Sequence, residues 1–284
     1  MLNKITKSLA FRLPHLYKIL LRHKKLKSIN NTRRSDQVVL MMTGRGFIEM
    51  TRLCLFSIAN TWADLPKIII ISDGSLSKDE IYHFLVFWKG ELFIEAFDHT
   101  LEYHKAKNRF ALINYANAHP FGKKLAIILY HAALYPVVWV DSDILFYKSF
   151  SEFIPKSDVF GCGGSEDFDH AYHQAVISQT GNNLYEYRKF NAGLLFVHGD
   201  SFYDDFNLER VIQSIYPAYD FCTEQSIFAH IASKSLGVIW NQEVIENSNV
   251  GLQNVSAMDI TNKIGRHYTS NVRHLFWRDA FYLL

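Results

Sequence analysis

Two carboxylates stand two residues apart at the end of a strongly apolar run. Val137-Val138-Trp139-Val140 leads directly into Asp141-Ser142-Asp143. In extended backbone, residues two apart project to the same side. Both carboxylates therefore leave the strand together, and they repel each other unless a positive charge lies between them. A divalent cation meets that need, and oxygen ligands suit Mg²⁺ or Mn²⁺. Such a pair leaves coordination positions free for a diphosphate. Asp-x-Asp pairs are common in surface loops; the place after a buried strand is what marks this one.

Three further pieces follow in order. Phe190-Asn191-Ala192-Gly193-Leu194-Leu195 lies about fifty residues downstream, Thr223-Glu224-Gln225-Ser226 about thirty beyond that, and His267-Tyr268-Thr269-Ser270-Asn271-Val272-Arg273 near the C-terminus. With the aspartate pair, their order and spacing resemble the family 8 glycosyltransferases. These are retaining, metal-dependent GT-A-fold enzymes that use nucleotide-diphosphate sugars, among them bacterial lipooligosaccharide galactosyltransferases and glycogenin. The likeness covers roughly residues 38–277. A phosphatase of the haloacid-dehalogenase type also carries an Asp-x-Asp pair after an apolar strand. It would want Thr or Val two residues after the second Asp, on the first strand, whereas Ile144-Leu145 follow Asp143 here.

The resemblance implies a set of roles. Asp141, Asp143 and His267 would hold Mn²⁺ or Mg²⁺, imidazole being a borderline ligand that suits Mn²⁺. Arg273 would touch the diphosphate where the family commonly has Lys, and a guanidinium can do so through two parallel bonds. Ser270 stands where Gly is usual, and His274 where a Pro-Trp pair would begin, so this loop departs from the pattern. Asn191-Ala192-Gly193 would line the donor sugar, Gly193 permitting close backbone approach. Gln225 would sit near the anomeric carbon opposite the diphosphate. Glu224 would bond sugar hydroxyls, one methylene longer than the family's Asp. Thr43, Gly44 and Arg45 after the first strand, and Asp73 after the second, would meet the nucleotide, with Ser142 and Lys124 (rather than Lys123) completing the donor contacts. The implied reaction transfers a hexose, from UDP-galactose or UDP-glucose, to a glycan or lipid-linked saccharide with retention. Gln225 is a poor nucleophile, so front-face attack is expected. The competing class is an inactive sugar-nucleotide or glycan-binding protein of the same fold.

Other residues carry less. Glu166-Asp167 reads as an acceptor-side loop or plain surface, and His170 and His173 as exposed residues three apart on a helix. Tyr185 and Tyr187 could stack on an acceptor sugar.

Apolar runs at Val38–Met42, Lys67–Ile71, Leu92–Phe97, Val137–Val140, Leu194–Val197 and Val238–Trp240 read as strands. Helical periodicity marks Ile48–Ala59, Lys124–Leu134, Phe202–Ile215 and Thr223–Ala232, and Ser77 with Glu80 forms a capping box opening a further helix. Alternating strands and helices predict an α/β domain with a mostly parallel central sheet flanked by helices. Ligands in such sheets bind beyond the carboxyl ends of the strands.

The chain has 284 residues, of which 49% are hydrophobic. That excludes a disordered chain or a disulfide scaffold. Net charge is +2, unevenly spread: residues 1–35 hold ten Lys and Arg and no Asp or Glu, leaving the remainder eight charges negative. Such a body disfavours a nucleic-acid partner. Leu2, Ile5, Leu9, Leu13, Leu16 and Leu20 recur at helical spacing among the basic residues, the pattern of a helix lying on an anionic membrane surface. The bland alternative packs that helix on the body, and Pro14 is expected to kink or divide it. Residues 1–36 are thus a basic amphipathic segment and linker, and 37–284 a single GT-A domain. Three scattered cysteines and no signal-peptide pattern predict a cytoplasmic protein, peripheral at the inner membrane face.

Overall fold

A computed structural model of the chain describes residues 2–24, 26, 29–235, 237–250, 262–269 and 272–283. Helix α1 (Leu2–His23) precedes β1 (Arg34–Thr43), α2 (Ile48–Thr61), β2 (Leu65–Ser72), α3 (Lys78–Phe84) and β3 (Leu92–Ala96). Then come α4 (Phe97–Ala106), α5 (Phe110–Ala118), α6 (Pro120–Ala132), β4 (Val137–Val140), β5 (Ile144–Phe146) and β6 (Gly161–Glu166). Next are α7 (Gln174–Thr180), β7 (Phe190–His198), α8 (Phe202–Asp205), α9 (Leu208–Ile215) and α10 (Thr223–Lys234). The chain closes with β8 (Ile239–Trp240), β9 (Ile245–Glu246), β10 (Gly265–His267) and α11 (Arg273–Leu283). Ser270 and Asn271 of the C-terminal motif, Lys25, Lys27 and Ser28 of the basic segment, and the side chains of Leu2, Lys4, Ile5 and Lys7 lie outside the described residues.

The central sheet has seven strands in the order β3-β2-β1-β4-β7-β6-β8. β3, β2, β1 and β4 run parallel, and β7 is antiparallel to both its neighbours. Ile68, Ile70 and Ile71 of β2 are fully buried without alternation, as a strand covered on both faces requires. One core layer lies under α2 and α11, the other under α5, α6, α9 and α10. β1 has β2 on one side and β4 on the other. The chain order reverses there and opens a crevice past the strand ends. A second sheet, β5-β10-β9, sits after β4.

Several elements differ from the expectation. Phe97 opens α4 instead of ending β3; the buried residues of α4 are Thr100 and His104, so no apolar period marks it. Phe202–Ile215 is two helices, broken where Asn207 takes a left-handed φ of 49°. β6 reads Gly-Cys-Gly-Gly-Ser-Glu, a poor strand composition. Its glycines are needed because a Cβ on Gly163 would meet the Val238 carbonyl and one on Gly164 the Phe190 ring. His170 and His173 are not on a helix; His173 caps α7, accepting from the Ala175 N–H. The capping box at Ser77 and Glu80 is present.

The basic segment is tied to the body. α1 runs through Pro14 as one helix and packs against α11. Phe11 stacks on His274, Tyr17 meets Phe281 and Tyr282, and Lys18 covers the Trp277 ring. Leu21 is fully buried. These contacts come from one side of α1; Leu9, Leu16, Ile19 and Leu20 remain about half exposed on the other. The polar stretch read as a linker is shorter than expected: Asn31 donates to the Trp62 carbonyl, and β1 begins at Arg34. Among the described residues no helix is long and apolar enough to cross a membrane.

Candidate active site

β4 delivers Asp141 and Asp143 to the crevice because its four residues are all buried and its next residue is the first that can reach solvent. Asp141 donates its backbone N–H to the Gly193 carbonyl at 2.8 Å, continuing the pairing of β4 with β7. β5 then pairs antiparallel with β10, setting Ile144 opposite His267. A residue 124 positions beyond Asp143 is thereby brought onto it. His267 Nε2 lies 3.2 Å from Asp143 and 3.9 Å from Asp141. The possible ligand atoms of Asp141, Asp143 and His267 all lie within 4.8 Å of one another. The imidazole is held from behind, its Nδ1 3.0 Å from the Asn191 Oδ1. Such a partner fixes the orientation of a metal-binding ring. Two carboxylates and an oriented imidazole on buried backbone fit a divalent cation of the Mn²⁺ or Mg²⁺ type.

The charges of this cluster support one another. Burial opposes a charged His267, but the Asp143 and Asp141 carboxylates outweigh it and hold its pKa above the ordinary imidazole value. Burial likewise favours neutral Asp143, yet His267 and Arg273 keep its carboxyl below the usual range. Arg273, first residue of α11, donates Nε and Nη2 to Asp143 Oδ2 at 2.9 and 2.8 Å.

Lys124 is the buried cation of the site. Its ammonium donates to the Ala192 carbonyl at 2.7 Å and lies 3.2 Å from Asp141 and 3.5 Å from Glu224. Glu224 is 1% exposed, and burial pushes its carboxyl up to about 7 despite Lys124. Gln225 donates to the Ala171 carbonyl, and its Oε1 faces Asn191 and the Ala192 N–H at 3.4 Å. Asn191 also accepts from the Gly193 N–H at 2.8 Å. A cavity of about 470 Å³ gathers Lys124, Asp141, Asn191, Ala192, Gly193, Glu224, Gln225, His267 and Arg273, with Phe121, Phe221 and Thr269.

The nucleotide candidates fall elsewhere. Thr43, Gly44 and Asp73 line an adjacent cavity of about 360 Å³ with Lys123 and Asn117. The Thr43 hydroxyl is bonded to Thr51 at 2.8 Å, and its carbonyl accepts from the Asp73 N–H at 2.9 Å. The Asp73 carboxylate lies against Gly44, where a Cβ would displace it. Arg45 is not brought in: its guanidinium pairs with Glu80 at 3.1 Å and with the Ser75 carbonyl. Ser142, half-buried in the turn between the aspartates, lines neither cavity.

Two residues escaped sequence reasoning. Trp139 donates its indole N–H to Asp141 at 2.6 Å, and its position two residues back on the same strand face was the available signal. Asp167 is buried, not plain surface, and accepts from Asn191 at 3.0 Å. Glu166 ends β6 and accepts from the Gln242 N–H.

No known family profile matches the chain, and no curated protein matches it in sequence. Solved structures do match in fold. Mouse xyloside xylosyltransferase 1 aligns with a TM-score of 0.55 at 12% identity over 84% of this chain and 99% of that one. The galactosyltransferase LgtC, in complex with donor and acceptor sugar analogues, aligns at 0.56 and 9% identity over 87% and 95%. The bifunctional glycosyltransferase WbbM aligns at 0.53 and 11% identity over 90% of this chain and 51% of that one. The chain therefore has the GT-A fold of these glycosyltransferases.

Proposed function

We propose that the chain is a metal-dependent, retaining glycosyltransferase that moves a hexose from a nucleotide-diphosphate sugar to a saccharide acceptor. The observation that carries this reading is the Asp141-Asp143-His267 cluster, backed by Asn191 and flanked by Lys124 and Arg273, in the crevice of a GT-A sheet. A cation held by those three residues would supply Lewis acidity toward the departing diphosphate. Arg273, anchored on Asp143 through Nε and Nη2, would turn its remaining guanidinium N–H groups to a phosphate oxygen. Lys124 holds Asp141 in place and offsets its charge together with that of Glu224. The cavity beside Thr43, Gly44 and Asp73 would take the nucleoside.

Among the described residues of the cleft no carboxylate stands free as a nucleophile: Glu224 is buried against Lys124, and Asp167 is bonded to Asn191. Front-face attack follows, with the acceptor hydroxyl passing its proton to the leaving phosphate oxygen. UDP-galactose and UDP-glucose are the expected donors, with Mn²⁺ as the favoured ion. The exposed apolar side of α1, in a 35-residue stretch whose sequence carries ten Lys and Arg and no Asp or Glu, supports residence on the anionic inner face of a membrane. A lipid-linked acceptor would be met there, in the cytoplasm.

A donor screen tests the reading. Thermal shift and mass spectrometry with a panel of nucleotide sugars should show stabilisation and turnover with a UDP-hexose plus Mn²⁺, lost with EDTA. Binding without transfer or hydrolysis of any donor would mark the inactive alternative. An inverted anomer by NMR would overturn retention.

A further inference from the structure

The largest cavity described lies outside the catalytic cleft. It spans about 560 Å³ between α5 and α9, within the range of roughly 300–1,000 Å³ common to ligand sites. Its walls include the rings of Phe110, Tyr216 and Tyr219 and the amide side chains of Asn114, Asn117 and Gln213. Phe110 and Tyr216 are more than half exposed. None of the three amides makes a side-chain hydrogen bond among the described residues. Glu209, the one charged residue of the lining, has both oxygens engaged, by the Ala111 N–H and the Tyr203 hydroxyl.

These groups select a ligand class. No Lys or Arg lines the cavity, so it offers no positive charge to a phosphate or carboxylate. Free amides present donors and acceptors together, matching a rim of hydroxyls. Aromatic rings take the apolar C–H face of a pyranose by burying it. A neutral saccharide carries both features at once.

A run of packed rings links the wall of this cavity to the wall of the cleft. Tyr216 packs on Tyr219, Tyr219 on Tyr115 at 4.3 Å, Tyr115 on His119 at 6.1 Å and His119 on Phe121 at 5.4 Å. Phe121 lines the catalytic cavity. The loop that carries Tyr216 and Tyr219 continues to Phe221 in the same cleft, and then to Glu224 and Gln225. Asn117 is shared with the nucleoside cavity.

We infer that the α5–α9 cavity is a saccharide subsite, holding neutral sugar units of an acceptor glycan whose reacting end lies in the cleft. The link between the two sites rests on the glycosyltransferase reading; the ligand class rests on the cavity's own chemistry. The full chain is tested on an array of defined neutral oligosaccharides of one to six units, alongside a Gln213→Ala/Tyr216→Ala variant. Both positions are exposed, and unchanged circular dichroism and melting temperature will establish that the variant folds. Wild type should retain a subset of the oligosaccharides, and the variant should retain them about tenfold less well, equivalent to about 1.4 kcal/mol. Stabilisation by UDP plus Mn²⁺ should be the same in both. Retention of no oligosaccharide by wild type, or equal retention by the variant, overturns the inference. If retention and its loss are seen while no nucleotide sugar binds, the transferase reading fails and the subsite stands.

Discussion

Gly193 is the residue whose replacement most directly tests the geometry of the proposed metal site. A Cβ built on it would lie 2.2 Å from Cε1, 2.5 Å from Nδ1 and 2.8 Å from Nε2 of His267. Ordinary contact requires the imidazole to retreat by about 1 Å or more. The ring has nowhere to go: it is 5% exposed, with Nδ1 against Asn191 and Nε2 against Asp143. Gly193 is equally fixed, since its N–H donates to Asn191 and its carbonyl accepts from Asp141. Overpacking of this kind costs about 1–3 kcal/mol. Metal sites tolerate ligand displacements of only about 0.2 Å. Gly193→Ala should therefore weaken Mn²⁺ binding at least as much as loss of an outer hydrogen-bond partner does, about 10–100-fold.

Isothermal titration of metal-free protein with MnCl₂ reads the affinity, and urea unfolding reads the stability. A double-mutant cycle isolates the contact. With His267→Ala in place the obstruction is gone, so adding Gly193→Ala should cost within about 0.5 kcal/mol of nothing. Wild-type Mn²⁺ affinity in Gly193→Ala would refute the reasoning. So would an equal stability loss with and without the imidazole, because the added methyl would then be meeting something else.

Asp143→Asn should abolish Mn²⁺ binding and Mn²⁺-dependent turnover together, measured by titration and donor hydrolysis; full activity would remove it from the ligand set. Glu224 has a folded pKa of about 7, raised by burial. The protonated form is therefore the stable one in the fold: its contribution is complete below an ordinary glutamate's pKa and is lost as pH rises to about 7. Relative to Glu224→Gln, wild type should lose up to about 3 kcal/mol across that window at about 1.4 kcal/mol per pH unit, read by urea unfolding at successive pH values. Leu16→Glu with Leu20→Glu, on the exposed side of α1, should abolish sedimentation with anionic vesicles at unchanged melting temperature. Deleting α1 altogether is the poorer test, because it uncovers Trp277 and Phe281 on the helix that carries Arg273, and should lower the melting temperature as well.

The sequence by itself determined the parts of this protein that depend on local pattern. Apolar runs with no alternation marked β1, β2 and β4, because strands covered on both faces must be apolar throughout. The aspartate pair was legible for the same reason: two carboxylates leaving a buried strand together need positive charge beside them, which Lys124, His267 and Arg273 supply in the fold. The basic, leucine-striped start was read as a membrane helix or a helix packed on the body; Leu21, Tyr17 and Lys18 face α11, while Leu9, Leu16 and Leu20 stay outside. Only the tertiary structure decided the rest. β10 is Gly-Arg-His, with no strand character of its own; it exists because β5 and β9 pair with it. That pairing is what sets His267 on Asp143. Arg45 and Lys124 show the same limit from two sides. Both are cations near a strand end, yet Glu80 and Ser75 take Arg45 away from the crevice, while α6 carries Lys124 into it. A side chain's charge is written in its residue type, but its partner is chosen by whatever the packing of distant elements brings within a few ångströms.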